Sequence, residues 1–385
     1  MKHMSQNPKF IHLFKNVIYN NKLACLALAF CLTIISCDKD DDDTPTPTNV
    51  SNKLEEIDKT FFSQIKKSSD IFDKDQIWKS YHFSKHPKYF IFRDKNKKPI
   101  RAYVINPLSK LKGGVKITAG DSYDLKLYRY DVGINETNEN LKKGNDYFDF
   151  SLKVEGEKYY AQIYSEETVK DSKNGAYQFA VHEVFHVFQG EKWTENESAI
   201  QDEKNYPLTK DLLALQILTT KIAAKMPLEK DKTKLENYLK MYVAIRSEEI
   251  RLDPTTKKLV KNMANEQEKG EGTAKYIEVM NSYQVDPNFK GAFNSSSTEF
   301  IKTKKDLRSQ FAFGIWYDTG AAATYMLKTI GVDVESEIST GLTPYDMAVK
   351  KLKLTEIQKK TALKNAKDEF GWDDIVKEEQ RLLSL

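Results

Sequence analysis

Val181-His182-Glu183-Val184-Phe185-His186-Val187-Phe188-Gln189 decides how this 385-residue chain is read. It contains H-E-x-x-H. On a helix, His182 and His186 lie one above the other on one face. Two imidazoles so placed can bind one Zn²⁺, and Glu183 between them can hold the attacking water. Phe179, Val181, Val184, Phe185 and Phe188 make the stretch apolar on more than one face. That pattern predicts a helix from 174 to about 190 running through a core. The motif arises by chance in on the order of one chain in a hundred. An amphipathic helix with two hydrogen-bonded histidines is therefore the competing reading.

Working outward, a catalytic zinc site needs a third protein ligand and one open position. The metzincin pattern asks for Gly and then His, three and six residues after the second His. Gln189 and Lys192 stand there, and no His follows His186. The third ligand is then expected to be a carboxylate. Glu197, in Asn196-Glu197-Ser198-Ala199, is one candidate; Glu271, in Lys269-Gly270-Glu271-Gly272-Thr273-Ala274-Lys275-Tyr276, is the other. On a helix, Met263, Gln267, Glu271 and Ala274 share a face, which turns Glu271 inward. A lone inward carboxylate is costly unless it is paired or bound to metal. The flanking Gly270 and Gly272 each weaken a helix by about 1 kcal/mol relative to Ala, so they predict a close backbone or ligand. Metal ligand and ion-pair partner of Arg246 both remain open for Glu271 on this reasoning.

His182-Glu183-x-x-His186 followed by Glu271-Gly272-x-Ala274-x-Tyr276 resembles the zinc signature of gluzincin peptidases. Their aminopeptidase branch has its third ligand in an N-E-G-x-A segment. The resemblance implies a zincin-like fold for the helical part, Zn²⁺ held by His182, His186 and Glu271, and Glu183 as general base. It also implies a peptide or protein substrate. It covers two short motifs and none of the N-terminal β-rich part. Gly270 replaces the Asn, and the G-x-M-E-N segment that anchors the substrate amine in that branch is missing, so endopeptidase is as well supported as amino-terminal trimming. A Tyr on a later helix stabilises the oxyanion in several gluzincins; Tyr317, in Trp316-Tyr317-Asp318-Thr319-Gly320, is the candidate here and Tyr276 the reserve. Two other functions compete: a non-enzymatic surface lipoprotein, a binding module keeping a peptidase-like scaffold, and a zinc hydrolase of a non-peptide amide.

The first 50 residues point to location. Leu23–Ile35 is an apolar run too short for an ordinary spanning helix and suited to a signal-peptide core. It ends in Thr33-Ile34-Ile35-Ser36-Cys37, which resembles a bacterial lipobox with Cys37 as the lipidated residue. Asp38-Lys39-Asp40-Asp41-Asp42-Asp43 and Thr44-Pro45-Thr46-Pro47-Thr48 then read as an extended tether. The acidic run resembles the export signal of one Gram-negative lineage, which implies a lipid-anchored outer-membrane lipoprotein exposed at the surface. Four of the 60 basic residues and none of the 56 acidic ones lie in residues 1–37, so the remainder is balanced. No nucleic-acid partner is expected from that charge. Cys25, Cys31 and Cys37 are the only cysteines, which excludes disulfides and Cys-ligated zinc from the rest of the chain.

The expected class is α+β: a leader (1–36), a tether (37–50), a helix plus β-rich part (51–170) and a mainly helical part (171–385). Strands are expected at 89–92 and 101–105, joined by a polar turn, and at 126–130, 147–150 and 158–164, forming a half-exposed sheet. Helices are expected over 51–80, 209–225, 232–250, 256–281, 306–330 and 345–383. His82 and His86 precede Pro87 and read as surface or packing histidines.

Overall fold

Alternating aromatic and β-branched residues build a hairpin of β1 (Lys88–Arg93) and β2 (Pro99–Ile105), with Phe90 opposite Tyr103 and Ile91 opposite Ala102. Its turn is held by the Asp94 carboxylate, which accepts from the amides of Asn96 and Lys98. The computed structural model describes residues 51–118, 123–131, 152–173, 175–194, 201–293 and 298–385. The leader, Cys37, the tether, the strand expected at 147–150 and Glu197 lie outside the described residues. The sheet is completed by β3 (Val115–Lys116), β4 (Leu127–Asp131), β5 (Leu152–Val154) and β6 (Glu157–Tyr164), in the order β3-β4-β2-β1-β6-β5. Most pairings are antiparallel, but β6 runs parallel to β1.

The sheet is not half-exposed. Phe90, Phe92, Tyr103, Ile105, Tyr160 and Tyr164 enter the core shared with the helices. Tyr89, Ile91, Ala102, Val104, Tyr159 and Ala161 are buried on the other face with Leu111 and Tyr130. Of the charges that suggested a wet face, Lys126 precedes β4 and Lys158 lies near the start of β6, while Arg129, inside β4, donates to the Lys53 carbonyl at 2.9 Å. Arg101, inside β2, is buried and paired. Its guanidinium donates to Asp58 at 2.7 and 2.8 Å, and the Tyr103 and Tyr164 hydroxyls donate to the same carboxylate. Asp58 lies on α1 (Glu56–Asp73), which lays Phe61, Phe62, Ile65 and Phe72 into the core. A buried ion pair is tolerable when its remaining acceptor positions are filled, as the two phenols fill them here.

After α2 (Glu166–Lys170) come α3 (Ala176–Lys192), α4 (Lys210–Ala223) and α5 (Lys232–Leu252). The helix expected over 256–281 starts late and is interrupted. Asp253 accepts from the amides of Thr255 and Val260, so the chain turns before Val260. Two π-helical turns, Val260–Ala264 and Glu268–Gly272, then lead into α6 (Thr273–Val285). A third, Gln310–Gly314, joins α7 (Lys304–Ser309) to α8 (Ile315–Thr329). The helix expected over 345–383 is three, after α9 (Val334–Ser339): α10 (Pro344–Leu352), α11 (Glu356–Phe370) and α12 (Trp372–Leu383). Left-handed residues, Lys353 at φ 48° and Gly371 at φ 72°, close α10 and α11.

Residues 51–385 form one unit in which α1, the sheet, α3, α6 and α8 share a core. A second apolar cluster joins α4, α5, α7, the start of α8 and the C-terminal helices. The class is mixed and mainly helical, with the six-stranded sheet in the N-terminal part. Among the described residues, no helix is long and apolar enough to cross a membrane.

Candidate metal centre

The α3 helix is buried along most of its length, and His182, Glu183 and His186 are only 4–6% exposed. The two imidazoles lie 4.9 Å apart, centre to centre. Each has its Nδ1 side occupied. His182 Nδ1 is 3.0 Å from Glu278 Oε2, and His186 Nδ1 is 2.7 Å from Gln189 Oε1. Both partners offer an acceptor, so each ring donates its Nδ1–H and turns Nε2 the other way. There the two Nε2 atoms meet one oxygen. Glu271 Oε2 is 3.4 Å from His182 Nε2 and 3.2 Å from His186 Nε2.

Three lone-pair carriers converging on one point repel unless a cation stands between them. Protons fill that role in the metal-free chain. Burial works to lower the His182 imidazole, but contact with Glu271 and Glu278 overrides it and raises the group to about 10. His186 is likewise pushed down by burial and lifted above its usual value by Glu271. Burial acts to raise Glu271, and the two imidazoles override it, holding its carboxyl well below the usual range. A metal ion entering here displaces those protons.

Glu271 reaches the histidines because of how its turn is packed. It sits in the second π turn, a geometry frequent at functional sites. Gly272 lies backbone-to-backbone on α8: a Cβ there would stand 2.5 Å from Gly320 Cα. A Cβ on Gly320 would stand 2.5 Å from the Glu268 carbonyl oxygen. The close backbone expected of the flanking glycines is thus found at Gly272, while Gly270 faces open space. Arg246 does not pair with Glu271. It bonds Glu268, three residues earlier, at 2.5 Å, and Glu249 at 2.7 Å. Tyr242 and Thr319 also donate to Glu268, so a buried network ties the π turn to α5 and α8.

The same close approach carries Tyr317 in. Its ring stacks on His182 at 5.7 Å, which sets its hydroxyl near the Glu271 carboxylate. Burial, then the charges of Glu271 and Glu183, lift the phenol well above its ordinary value, so it stays a donor at neutral pH. Tyr276 is elsewhere, 5.8 Å from the Lys328 ammonium and beside Glu335 and Tyr325. Glu183 also lies near the imidazoles, with ligand atoms of His182, Glu183 and His186 all within 4.8 Å of one another. With Glu271 Oε2 set against both Nε2 atoms, Glu183 is left for other work. Burial raises the Glu183 carboxyl above its usual value, against the pull of His186 and His182. His82 faces Asp73 and His86 packs near Tyr81, both as packing residues.

Sequence reasoning missed Glu278 and Gln189. Glu278 is seven residues, about two turns, beyond Glu271, and Gln189 is three beyond His186, so helical spacing alone puts both on the ligands' faces. Lys275 holds Glu278 from behind at 2.5 Å. Among the described residues, the group of three or more His, Cys, Asp or Glu side chains gathered closely enough to hold a metal ion is His182, Glu183 and His186, and Glu271 joins it through its contacts to the two Nε2 atoms. No family model, curated protein or solved structure matches this chain.

Proposed function

We propose that this chain is a zinc-dependent peptidase of the gluzincin type with a zincin-like helical part, tethered through Cys37 to the outer membrane and facing outward. The single observation that carries the reading is the meeting of His182 Nε2, His186 Nε2 and one Glu271 oxygen at 3.2–3.4 Å. Ligands about 2.0–2.1 Å from a tetrahedral zinc stand about 3.3 Å apart, and the two imidazole-to-carboxylate spacings match that figure. Three such ligands leave the fourth position open, as in catalytic zinc sites.

Zinc, when bound, supplies Lewis acidity, bringing the pKa of a water to about 7 and polarising a carbonyl. Glu183 accepts the proton as the water attacks the peptide carbon, and its raised pKa makes it a better base. It then delivers that proton to the leaving amine. Tyr317, kept protonated, donates to the oxygen that gains charge. Glu278 and Gln189 keep the imidazoles aimed.

The test uses the chain from Ser51, loaded with zinc and dialysed. About one zinc per chain is expected, with chelator-sensitive cleavage of a peptide library. Glu183→Gln should keep the zinc and lose cleavage. A loaded chain without zinc overturns the metal centre. Full zinc with no peptide cleavage favours a binding module or a non-peptide substrate, and undiminished cleavage by Glu183→Gln removes that residue as the base.

A further inference from the structure

We propose that Gln189 is a positioning residue that latches the helix bearing two ligands to the turn bearing the third, and in doing so dictates which nitrogen His186 offers. Its consequence for zinc rests on the reading above; the latch itself is made within the chain. Gln189 is 8% exposed, on α3. Its Nε2 donates to the Gly270 carbonyl at 2.9 Å and to Thr273 Oγ1 at 2.9 Å. Its Oε1 accepts from His186 Nδ1 at 2.7 Å.

The polarity of this network is forced from one end. The Gly270 carbonyl can only accept, so the amide NH₂ must face it. Thr273 spends its own hydrogen on the Lys269 carbonyl, and so accepts from Gln189 as well. Both amide hydrogens are then used, and the amide oxygen is left facing His186. His186 must answer with Nδ1–H, which turns its Nε2 toward Glu271. The two groups Gln189 joins belong to different ligand carriers, because Gly270 is the residue before Glu271. Glu278 backs His182 with a charge held by Lys275, whereas Gln189 backs His186 with a neutral dipole. Gln189 therefore acts through direction and distance rather than by raising ligand charge.

Two substitutions separate its halves. Gln189→Glu keeps an acceptor toward His186 and loses both donors. Gln189→Leu loses everything. Zinc-free, both should speed amide exchange in residues 268–275 by about tenfold or more while α4 and α5 exchange as before. Zinc affinity should fall roughly 10–100-fold in Gln189→Leu and by less than about tenfold in Gln189→Glu. A merely structural residue would move the two readouts together. Parent-rate exchange at 268–275 in both variants overturns the latch, and equal zinc affinities in the two variants overturn the control of His186. If Gln189→Leu does not fold, Gln189→Glu decides by the same exchange measurement. If the parent chain takes up no zinc, the metal reading fails while the exchange result still decides the latch.

Discussion

Gly272→Ala and Gly270→Ala make the same chemical change two residues apart and should act with opposite signs. At Gly272 the added methyl would stand 2.5 Å from Gly320 Cα, 2.7 Å from Gly320 C and 3.0 Å from Ala321 N. Carbon atoms in contact rest about 3.5–4.0 Å apart, so the π turn and α8 must separate by about 1 Å. Overpacking of that kind costs about 1–3 kcal/mol. Alanine returns about 1 kcal/mol of helix propensity, which leaves a net loss of up to about 2 kcal/mol. At Gly270 nothing lies within 4 Å of the new methyl, and only the propensity gain of up to about 1 kcal/mol remains. The separation at Gly272 also pulls Glu271 away from Tyr317 and the histidines, so zinc affinity should fall with stability in that variant. Urea unfolding of the zinc-free proteins and zinc competition with a chelator read both effects. A Gly272→Ala protein more stable than the parent, or a Gly270→Ala protein less stable than Gly272→Ala, would refute the close-approach argument.

Glu271→Gln should weaken zinc binding by more than the roughly 100-fold expected from removing a group behind a ligand, as read by chelator competition; a smaller loss points to another third ligand. Zinc uptake at pH 8 should release about one proton or more, because His182 titrates at about 10 in the metal-free chain and is protonated there. Affinity should therefore rise with pH toward that value, and calorimetry in buffers of different ionisation heat that finds no release would contradict the proton-filled centre. Tyr317→Phe should lower kcat by about 10²–10³ with zinc content unchanged, as expected of a lost oxyanion donor; an unaltered kcat removes it from the chemistry. Arg246→Met leaves Glu268 and Glu249 buried without their cation and should cost about 3–5 kcal/mol in urea unfolding. A loss below about 1 kcal/mol would mean the network does not hold the π turn.

Local pattern was enough for the elements. The H-E-x-x-H helix, the hairpin of β1 and β2, and the long amphipathic helices follow from periodicity, because a residue's face on a helix or strand depends only on its neighbours in sequence. The same periodicity turned Glu271 inward and marked its glycines. It also misjudged what depends on distant partners. The sheet is buried on both faces, with α1 and the other helices of the shared core against one and Leu111 against the other, and no single strand records what covers it. Interruption of the 256–281 helix by π turns was equally unreadable, since Arg246, Tyr242 and Thr319 hold Glu268 from elsewhere in the chain. By itself, then, the sequence determined which residue types could make a metal centre and which faces they would occupy. Tertiary structure alone decided that His182, His186 and Glu271 meet, that Arg246 takes Glu268 instead, and that Gln189 and Glu278 aim the rings. The reason is physical: a hydrogen bond or ligand contact needs atoms within about 3 Å, and that distance is set by two backbones crossing at Gly272 and Gly320.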